Sequence, residues 1–306
     1  MSGETLQVYF LGTAGALPTP TRNPSCIMVR RGNDTLLFDC GEGAQIQMRR
    51  FRLKFQRIDH IFISHLHGDH YLGLMGLLFT FHLLGRSKEL HLYADHDLKE
   101  ILDMQLEISQ TTLVYPLVFH PIDSTQSENI YEDDLISVHT IPMDHRIPTV
   151  GFLFREKPKD RKIKKEILNN VNIPVEVFEK IKKGNDFTDD KGRHYKNSEL
   201  TTEGPVPVTY AYCSDTGYTE SYLPLIKGVD LLYHEATFLH DKVKNAREKF
   251  HCTAFDAAQI ANKAKVKKLM IGHYSARYDD LNPLLEEASS IFENTVLAEE
   301  GKMYEI

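Results

Sequence analysis

The stretch "SHLHGDHYLG", Ser64–Gly73, places three histidines and an aspartate within six positions of the chain. Most histidines are scattered singly over a fold, so this spacing indicates one shared chemical task for His65, His67, Asp69 and His70. Imidazole nitrogens and carboxylate oxygens together form a ligand set for Zn²⁺, or for Mn²⁺ and similar ions, in a catalytic setting. The stretch therefore predicts a metal site.

Metal-competent side chains also stand at or beside the ends of five apolar, β-rich runs. "IFISH" ends in His65, "IPMDH" in His145, "AYCSD" in Asp215, "LLYHE" in Glu235 and "MIGH" in His273. Strand ends in layered folds gather on one edge, where loops build sites on a rigid scaffold. We therefore expect these side chains to converge with the histidine-rich stretch.

Seven ligands are too many for one tetrahedral ion. The four in the opening stretch, with His145, Asp215 and His273, suit two ions that share a bridging carboxylate. His65 and His67 are expected to face one ion, and Asp69 and His70 the other. Two ions about 3.5–4 Å apart can stabilise both the attacking and the leaving oxygen of a phosphodiester.

The remaining pattern predicts an α/β or layered α+β fold, because β-rich runs are interspersed with helical segments. The 306 residues suit one large or two modest domains. Helical periodicity covers the following segments: Gly43–Arg52, Tyr71–Leu84, Asp97–Gln110, Ala254–Lys265 and Pro283–Phe292.

Arg155–Lys196 interrupts this pattern with a polar, basic segment. It holds 13 Lys and Arg against 8 Asp and Glu, whereas the whole chain has a net charge of −7. It also contains prolines and glycines, and only Lys162–Val171 has a helix-like rhythm. We interpret it as an insertion that projects from the domain, with a merely solvated loop as the alternative.

Composition bears on the state of the cysteines, on the location of the protein and on its partners. Four cysteines at wide spacings form no CxxC pair, which indicates reduced thiols. The N-terminus shows no secretion signal, and the longest apolar stretch is too short to cross a bilayer. A soluble cytoplasmic protein is the expectation, and the acidic net charge excludes only a protein that is basic throughout.

Short motifs along nearly the whole chain resemble the ribonuclease Z family, in its short form, of the metallo-β-lactamase superfamily. They are "LGT" at Leu11–Thr13, "RN" at Arg22–Asn23, "FDCGEG" at Phe38–Gly43, "SHLHGDH", "SDT" at Ser214–Thr216, "HEAT" at His234–Thr237, "HCT" at His251–Thr253 and "HYSARY" at His273–Tyr278. The HxHxDH motif alone indicates only the superfamily. The HEAT, HCT and HYSARY motifs together are more specific for the ribonuclease Z family.

The resemblance implies an αββα sandwich and a zinc-dependent endoribonuclease that removes the 3′ trailer of precursor tRNA. It assigns His65, His67 and His145 to one zinc ion, Asp69, His70 and His273 to a second, and Asp215 to a bridging position. It makes Asp69 the proton acceptor for the attacking water. It makes His251 the group that protonates or stabilises the leaving oxygen, Glu235 its orienting partner, and Asp39 a residue that fixes a ligand imidazole.

For substrate binding, the resemblance implies that residues 155–202 form an arm, inserted in one domain of residues 1–306, that grips the tRNA elbow. The residues expected to bind substrate are Arg22, Asn23, Arg155, Lys157, Lys159, Arg161, Lys162, Lys164 and Lys165. Pro20 stands where the family loop usually has lysine, and Val175–Glu176 stand where the family arm usually has a Gly-Pro turn. The family is commonly homodimeric.

Two other functions compete with this interpretation. A hydrolase of small phosphodiesters, thioesters or lactones would share the metal site but would not need the basic insertion. An RNA-binding module with structural zinc would need no general base, whereas Asp69, His251 and Glu235 are all present.

Overall fold

The computed structural model describes residues 5–306 and contains two seven-stranded sheets. The strands of the first sheet are, in spatial order, Met303–Glu305, Leu6–Gly12, Cys26–Arg31, Asp34–Phe38, Ile58–Phe62, Leu90–Ala94 and Leu117–Pro121. Those of the second are Thr295–Leu297, Leu269–Gly272, Leu231–Glu235, Thr209–Cys213, Val150–Glu156, Ile136–Pro142 and Asn129–Glu132.

Aromatic side chains fill the space between the two sheets. The Phe38 ring stacks on Phe152 with centroids 5.3 Å apart and meets Phe62 edge-on at 5.4 Å. Phe38 and Phe62 belong to the first sheet and Phe152 to the second, and each of the three side chains is fully buried. Alternate residues of a strand face opposite sides of its sheet. The apolar residues that do not face the other sheet therefore point outward, and a further layer must bury them.

Helices supply that cover on each outer face. Leu37 and Ile61 of the first sheet share a core with Met48 and Leu77, and Ile271 of the second sheet shares a core with helix residues 254–264. The α-helices outside the inserted segment are Ala44–Arg50, Gly68–Tyr71, Leu74–Leu83, Asp97–Ile108, Val243–Glu248, Ala254–Ala264 and Asn282–Ser289, with 3₁₀ turns at Phe55–Arg57 and His240–Lys242. The four layers confirm the expected αββα sandwich.

The structure differs from the sequence prediction in one helical segment and in five strands of the two sheets. The periodicity over Tyr71–Leu84 is divided between Gly68–Tyr71 and Leu74–Leu83, because the chain turns at Leu72 and Gly73. Five strands of the two sheets were not predicted from the sequence: Cys26–Arg31, Leu117–Pro121, Asn129–Glu132, Thr295–Leu297 and Met303–Glu305. Cys26–Arg31 is buried at nearly every position, so its residues show no apolar-polar alternation.

Residues Arg155–Pro207 and Glu132–Ser137 form a second compact unit. Its own small core contains Ile173, Ile181 and Leu200. The expectation that only Lys162–Val171 is helix-like was wrong, because further short helices form. Its elements are the strands Lys162–Ile163, Phe187–Thr188, His194–Tyr195 and Thr201–Thr202, the helices Lys165–Asn170, Phe178–Lys182 and Asn197–Leu200, and the 3₁₀ turn Val175–Val177.

The cysteines and the helices bear on two broader expectations. All four cysteines are buried and carry free thiols. Within residues 5–306, no helix is both long and apolar enough to cross a membrane.

Candidate metal centre and active site

The candidate site lies where parallel strands end. Asp39 follows the strand Asp34–Phe38 directly, His65 stands three residues beyond Ile58–Phe62, and Asp215 stands two residues beyond Thr209–Cys213. His273 follows Leu269–Gly272 directly. Asp39 and His273 both adopt positive φ, 57° and 58°, which non-glycine residues rarely do. Such backbone strain concentrates at functional sites.

The first donor cluster combines three histidines with Asp215. Nδ1 of His67 lies 3.1 Å from Nε2 of His65 and 3.2 Å from Nε2 of His145. Asp215 Oδ2 lies 3.7 Å from His65 Nε2. His145 donates its Nδ1 proton to the carbonyl oxygen of Phe250 at 2.9 Å, which leaves its Nε2 lone pair facing the cluster.

The second donor cluster combines Asp69, His70 and His273 with the same Asp215. Nε2 of His70 lies 3.4 Å from Asp69 Oδ2 and 3.4 Å from Asp215 Oδ1. Nε2 of His273 lies 3.3 Å and 3.2 Å from the same two oxygens. Asp215 is therefore shared by the two clusters, with one oxygen directed at each.

The donors fit metal ions better than they fit one another. Among the described residues, His70 Nε2 and Asp215 Oδ1 are buried side-chain atoms without a hydrogen-bond partner. A buried polar group without a partner is costly, so its presence needs an explanation such as a bound ion. Imidazole and carboxylate donors in two sets that share one aspartate explain it, and we interpret the two clusters as metal-binding sites.

Asp39 fixes one of the imidazoles from behind. Its Oδ2 lies 2.7 Å from His70 Nδ1, and its carboxylate also accepts hydrogen bonds from Ser64 and from the Tyr212 hydroxyl. Because His70 donates through Nδ1, its Nε2 is the nitrogen presented to the cluster. This carboxylate–histidine arrangement is typical of metal sites.

His251 and Glu235 form a second functional pair beside the clusters. His251 Nδ1 lies 2.8 Å from Glu235 Oε1, and Glu235 is fully buried and also accepts hydrogen bonds from Thr216 and Thr237. Burial lowers the pKa of His251, but the Glu235 charge and hydrogen bond, with Asp215 and Asp69, outweigh it and raise the pKa to about 9. Glu235 thus orients the ring and stabilises its protonated form.

A loop that sequence reasoning only partly recognised closes over the site. The backbone N–H of Ala16 donates to Asp69 Oδ2 at 2.8 Å, and Gly15 packs so tightly that a Cβ there would lie 2.9 Å from the His273 ring. Residues Ala14–Gly15 also pair as a short strand with Tyr274–Ser275. The loop therefore touches both Asp69 and His273.

Glu300 anchors this loop, although no sequence motif marks the residue. Its carboxylate accepts hydrogen bonds from Thr13 N at 3.1 Å, from Asn23 N and Nδ2 at 2.6 and 2.7 Å, and from Gln47 Nε2 at 2.9 Å. Burial raises the pKa of Glu300, although these hydrogen bonds act in the opposite direction. The side-chain amide of Asn23 therefore helps to hold the loop through Glu300.

Replacing Glu300 with alanine is expected to weaken metal binding about tenfold, because the loop that positions Asp69 and His273 loses its anchor. Competition with a chelator measures this effect, and thermal unfolding measures the accompanying loss of stability. Asp230→Ala is the matched control. Asp230 likewise holds a loop through Thr209 N and Oγ1, but at the start of a strand rather than at the site edge. Equal metal affinity in both variants would reduce Glu300 to a purely structural role.

The residues expected to bind substrate fall into different environments. Arg22 is buried and donates Nη2 to the Ser275 carbonyl at 3.4 Å. In the inserted unit, Lys157 pairs with Glu132, Arg161 donates to Thr201, and Lys164 donates to the carbonyls of Ser198 and Glu199. Arg155, Lys162 and Lys165 are exposed, and Lys159 is half-buried.

Related proteins match the sequence over nearly all of the chain, and a family model matches most of it. Proteins named Ribonuclease Z match it at 46% identity, from Bacteroides fragilis (97% of this chain and 98% of the relative) and from Parabacteroides distasonis (96% and 97%). The family model described as "Anti-Pycsar protein Apyc1" matches residues 6–202. That match ends before Asp215, Glu235, His251 and His273, which only the full-length relatives cover.

Solved structures show the same architecture. Human tRNase Z, short form, superposes with a TM-score of 0.71 at 28% identity and covers 97% of this chain and 98% of its own. The metallo-β-lactamase fold protein YhfI from Bacillus subtilis gives a TM-score of 0.70 at 17% identity, covering 99% of this chain and 100% of its own. The second likeness is one of fold alone.

The two facing sheets, their helical covers and the His/Asp clusters at the strand ends define a protein of the metallo-β-lactamase fold with a metal-binding site. Within that class, the chain belongs to the ribonuclease Z family. Residues 6–202 also belong to the family that the Apyc1 model describes.

Proposed function

We propose that this enzyme removes the 3′ trailer from precursor tRNA and leaves a 3′-hydroxyl on the tRNA. One observation carries the proposal: the two donor clusters, which share Asp215, lie at the same sheet edge as the His251–Glu235 pair. The ribonuclease Z relatives, which match over 97% of the chain, point to RNA as the substrate.

Two zinc ions per subunit are the proposed cofactors. His65, His67 and His145 would hold one, Asp69, His70 and His273 the other, with Asp215 between them and Asp39 fixing His70. When bound, zinc lowers the pKa of water and neutralises charge that develops on the phosphodiester oxygens. The remaining proton transfers fall to side chains of the protein.

Asp69 and His251 would carry those protons. Asp69 Oδ2 is held by the Ala16 N–H, which leaves Oδ1 to accept a proton from the attacking water. As the bond between phosphorus and the ribose 3′-oxygen breaks, His251 Nε2 would donate a proton to that oxygen, while Nδ1 stays bonded to Glu235. The products are a tRNA 3′-hydroxyl and a trailer that carries the 5′-phosphate.

The inserted unit, Arg155–Pro207 with Glu132–Ser137, is the proposed tRNA-binding arm, covering the residues 155–202 expected from the sequence. Its cations differ in availability. Lys157, Arg161 and Lys164 have internal partners, whereas Lys162 and Lys165 are exposed and form no ion pair among the described residues. Lys162 and Lys165 are therefore the best candidates for phosphate contacts, which position RNA without reading its sequence. Arg155 and Lys159 extend the same basic surface.

The double variant Lys162→Gln/Lys165→Gln is expected to raise KM for precursor tRNA and to flatten its salt dependence, by about one unit of log–log slope per lost phosphate contact. Turnover of a nitrophenyl phosphodiester should remain unchanged, because the reacting atoms lie elsewhere. The matched control is Lys227→Gln/Lys244→Gln, which removes the same charge from two exposed lysines. If the arm variant processed precursor tRNA like this control, the arm assignment would be wrong.

The function itself is tested by one assay on two substrates. Purified enzyme is given precursor tRNA or a small phosphodiester, each with and without a chelator. We expect chelator-sensitive cleavage of precursor tRNA at the trailer junction. Chelator-sensitive turnover of the small substrate without tRNA cleavage would instead favour the small-molecule hydrolase.

A cytoplasmic homodimer is the proposed state of the enzyme, as is common in this family. The test of the subunit number is sedimentation equilibrium of the zinc-loaded protein. A mass of one 35.1 kDa chain at all concentrations would contradict it.

A further inference from the structure

Phe250 stands at a backbone position where glycine is usual. It follows the end of helix Val243–Glu248. The Phe250 N–H donates to the Arg247 carbonyl at 3.3 Å, and the next N–H in the chain donates to the Ala246 carbonyl at 2.9 Å. This pair of hydrogen bonds is a Schellman motif, in which the residue at the Phe250 position is left-handed and most often glycine. The way the helix ends therefore does not explain a phenyl ring.

Two features of Phe250 are unfavourable on their own. Its φ of 56° is strained for a bulky residue, because the side chain crowds the backbone in the left-handed region. Phe250 is also 37% exposed, although its side chain is large and apolar. Single exposed apolar residues are common, but strained backbone concentrates at functional sites. The side chain of Phe250 therefore requires a functional explanation.

The Phe250 ring lies at the edge of the candidate active site. The Phe250 carbonyl oxygen accepts the hydrogen bond from His145 Nδ1 at 2.9 Å, and the two rings meet edge-on with centroids 6.5 Å apart. The next residue in the chain is His251, whose ring centroid lies 5.4 Å from that of His145. Phe250 therefore contacts a residue of the first donor cluster and directly precedes the proposed leaving-group acid.

The proposed reaction places one particular nucleotide at this edge. His251 Nε2 donates a proton to the 3′-oxygen of the last tRNA nucleotide, so the ribose of that nucleotide must lie within hydrogen-bond reach of His251. The trailer begins at the phosphate, on the other side of the breaking bond. The base that is nearest to His251 and its neighbours is therefore the base of the last tRNA nucleotide, and not a base of the trailer.

We propose that the Phe250 ring stacks on the base of the last tRNA nucleotide and so directs the 3′-oxygen of that nucleotide towards His251. This inference rests on the proposed function, which supplies the nucleotide. Proteins that bind unpaired nucleotides stack the bases on aromatic side chains, and every base has an aromatic face. Phe250 is thus a positioning residue that accepts any base.

The test uses zinc-loaded enzyme and two precursor tRNAs, in which the last tRNA nucleotide either carries its base or is abasic. Wild type should cleave the precursor that carries the base with a kcat/KM about tenfold higher, the factor expected for one stacked base. Phe250→Gly should lose this advantage and leave kcat/KM on the abasic precursor unchanged. Phe250→Tyr keeps an aromatic ring and should retain the advantage.

Gln110→Gly is the matched control for the backbone, because Gln110 is also exposed, has a φ of 49° and belongs to neither donor cluster. Glycine suits a positive φ at either position, so both glycine variants should keep the circular dichroism spectrum and metal content of the wild type. Gln110→Gly should also keep the wild-type kcat/KM on both precursors.

The outcomes separate the inference from the proposed function. If wild-type enzyme cleaves neither precursor, the proposed function fails and the inference fails with it. If wild type cleaves both but Phe250→Gly keeps the full dependence on the base, only the inference is overturned. Equal losses in Phe250→Gly on both precursors and on a nitrophenyl phosphodiester would assign Phe250 to holding His145, which also overturns it. A changed subunit mass of this variant in sedimentation would show that the ring contacts a second copy of the chain, with the same consequence.

Discussion

Replacement of His67 by alanine is expected to remove metal and to lower kcat/KM on precursor tRNA by more than about 100-fold. His67 Nδ1 lies within 3.2 Å of nitrogens from both His65 and His145, so its loss breaks the centre of the first donor cluster. The side chain is only partly buried, and the aromatic core between the sheets does not depend on it. Elemental analysis and circular dichroism should therefore show metal loss in a folded protein.

His240→Ala is the matched control, because His240 is an exposed histidine that belongs to neither donor cluster. It should leave metal content and cleavage unchanged. Substantial cleavage of precursor tRNA by a preparation shown to be metal-free would contradict the metal-dependent mechanism altogether.

Local sequence pattern predicted a layered α/β fold and the gathering of the donors, whereas the αββα arrangement followed from the family resemblance. His65, Asp215 and His273 follow apolar β-rich runs, and parallel strands bring such ends to one edge. The alternation that marks half-buried strands was absent at Cys26–Arg31, which is covered on both faces and reads as uniformly buried. That strand could not be recognised from periodicity.

Residues that act through distant partners were also missed. Glu300 lies 277 positions from Asn23 and has no motif of its own, so only the folded chain shows that its carboxylate holds the loop over Asp69.

Substitution of His251 by alanine is expected to lower kcat on precursor tRNA by about 10²–10⁴-fold without releasing metal. The ribose 3′-oxygen is a poor leaving group, and His251 is held by Glu235 at 2.8 Å so that its Nε2 can protonate that oxygen. Nitrophenolate, the leaving group of a nitrophenyl phosphodiester, departs without a proton. Turnover of that substrate should therefore fall much less. The ratio of the two losses in kcat, measured with the metal content, distinguishes an acid from a ligand.

Glu235→Gln provides the companion variant, because it keeps the shape of the partner and removes its charge. It should reproduce the selective loss on RNA to a smaller degree, since Gln can still accept the His251 Nδ1–H bond but stabilises the imidazolium less. His240→Ala is the control histidine, on the 3₁₀ turn His240–Lys242 and hydrogen-bonded to Thr253. Equal losses on both substrates in His251→Ala would assign His251 to substrate binding or metal ligation rather than to proton transfer.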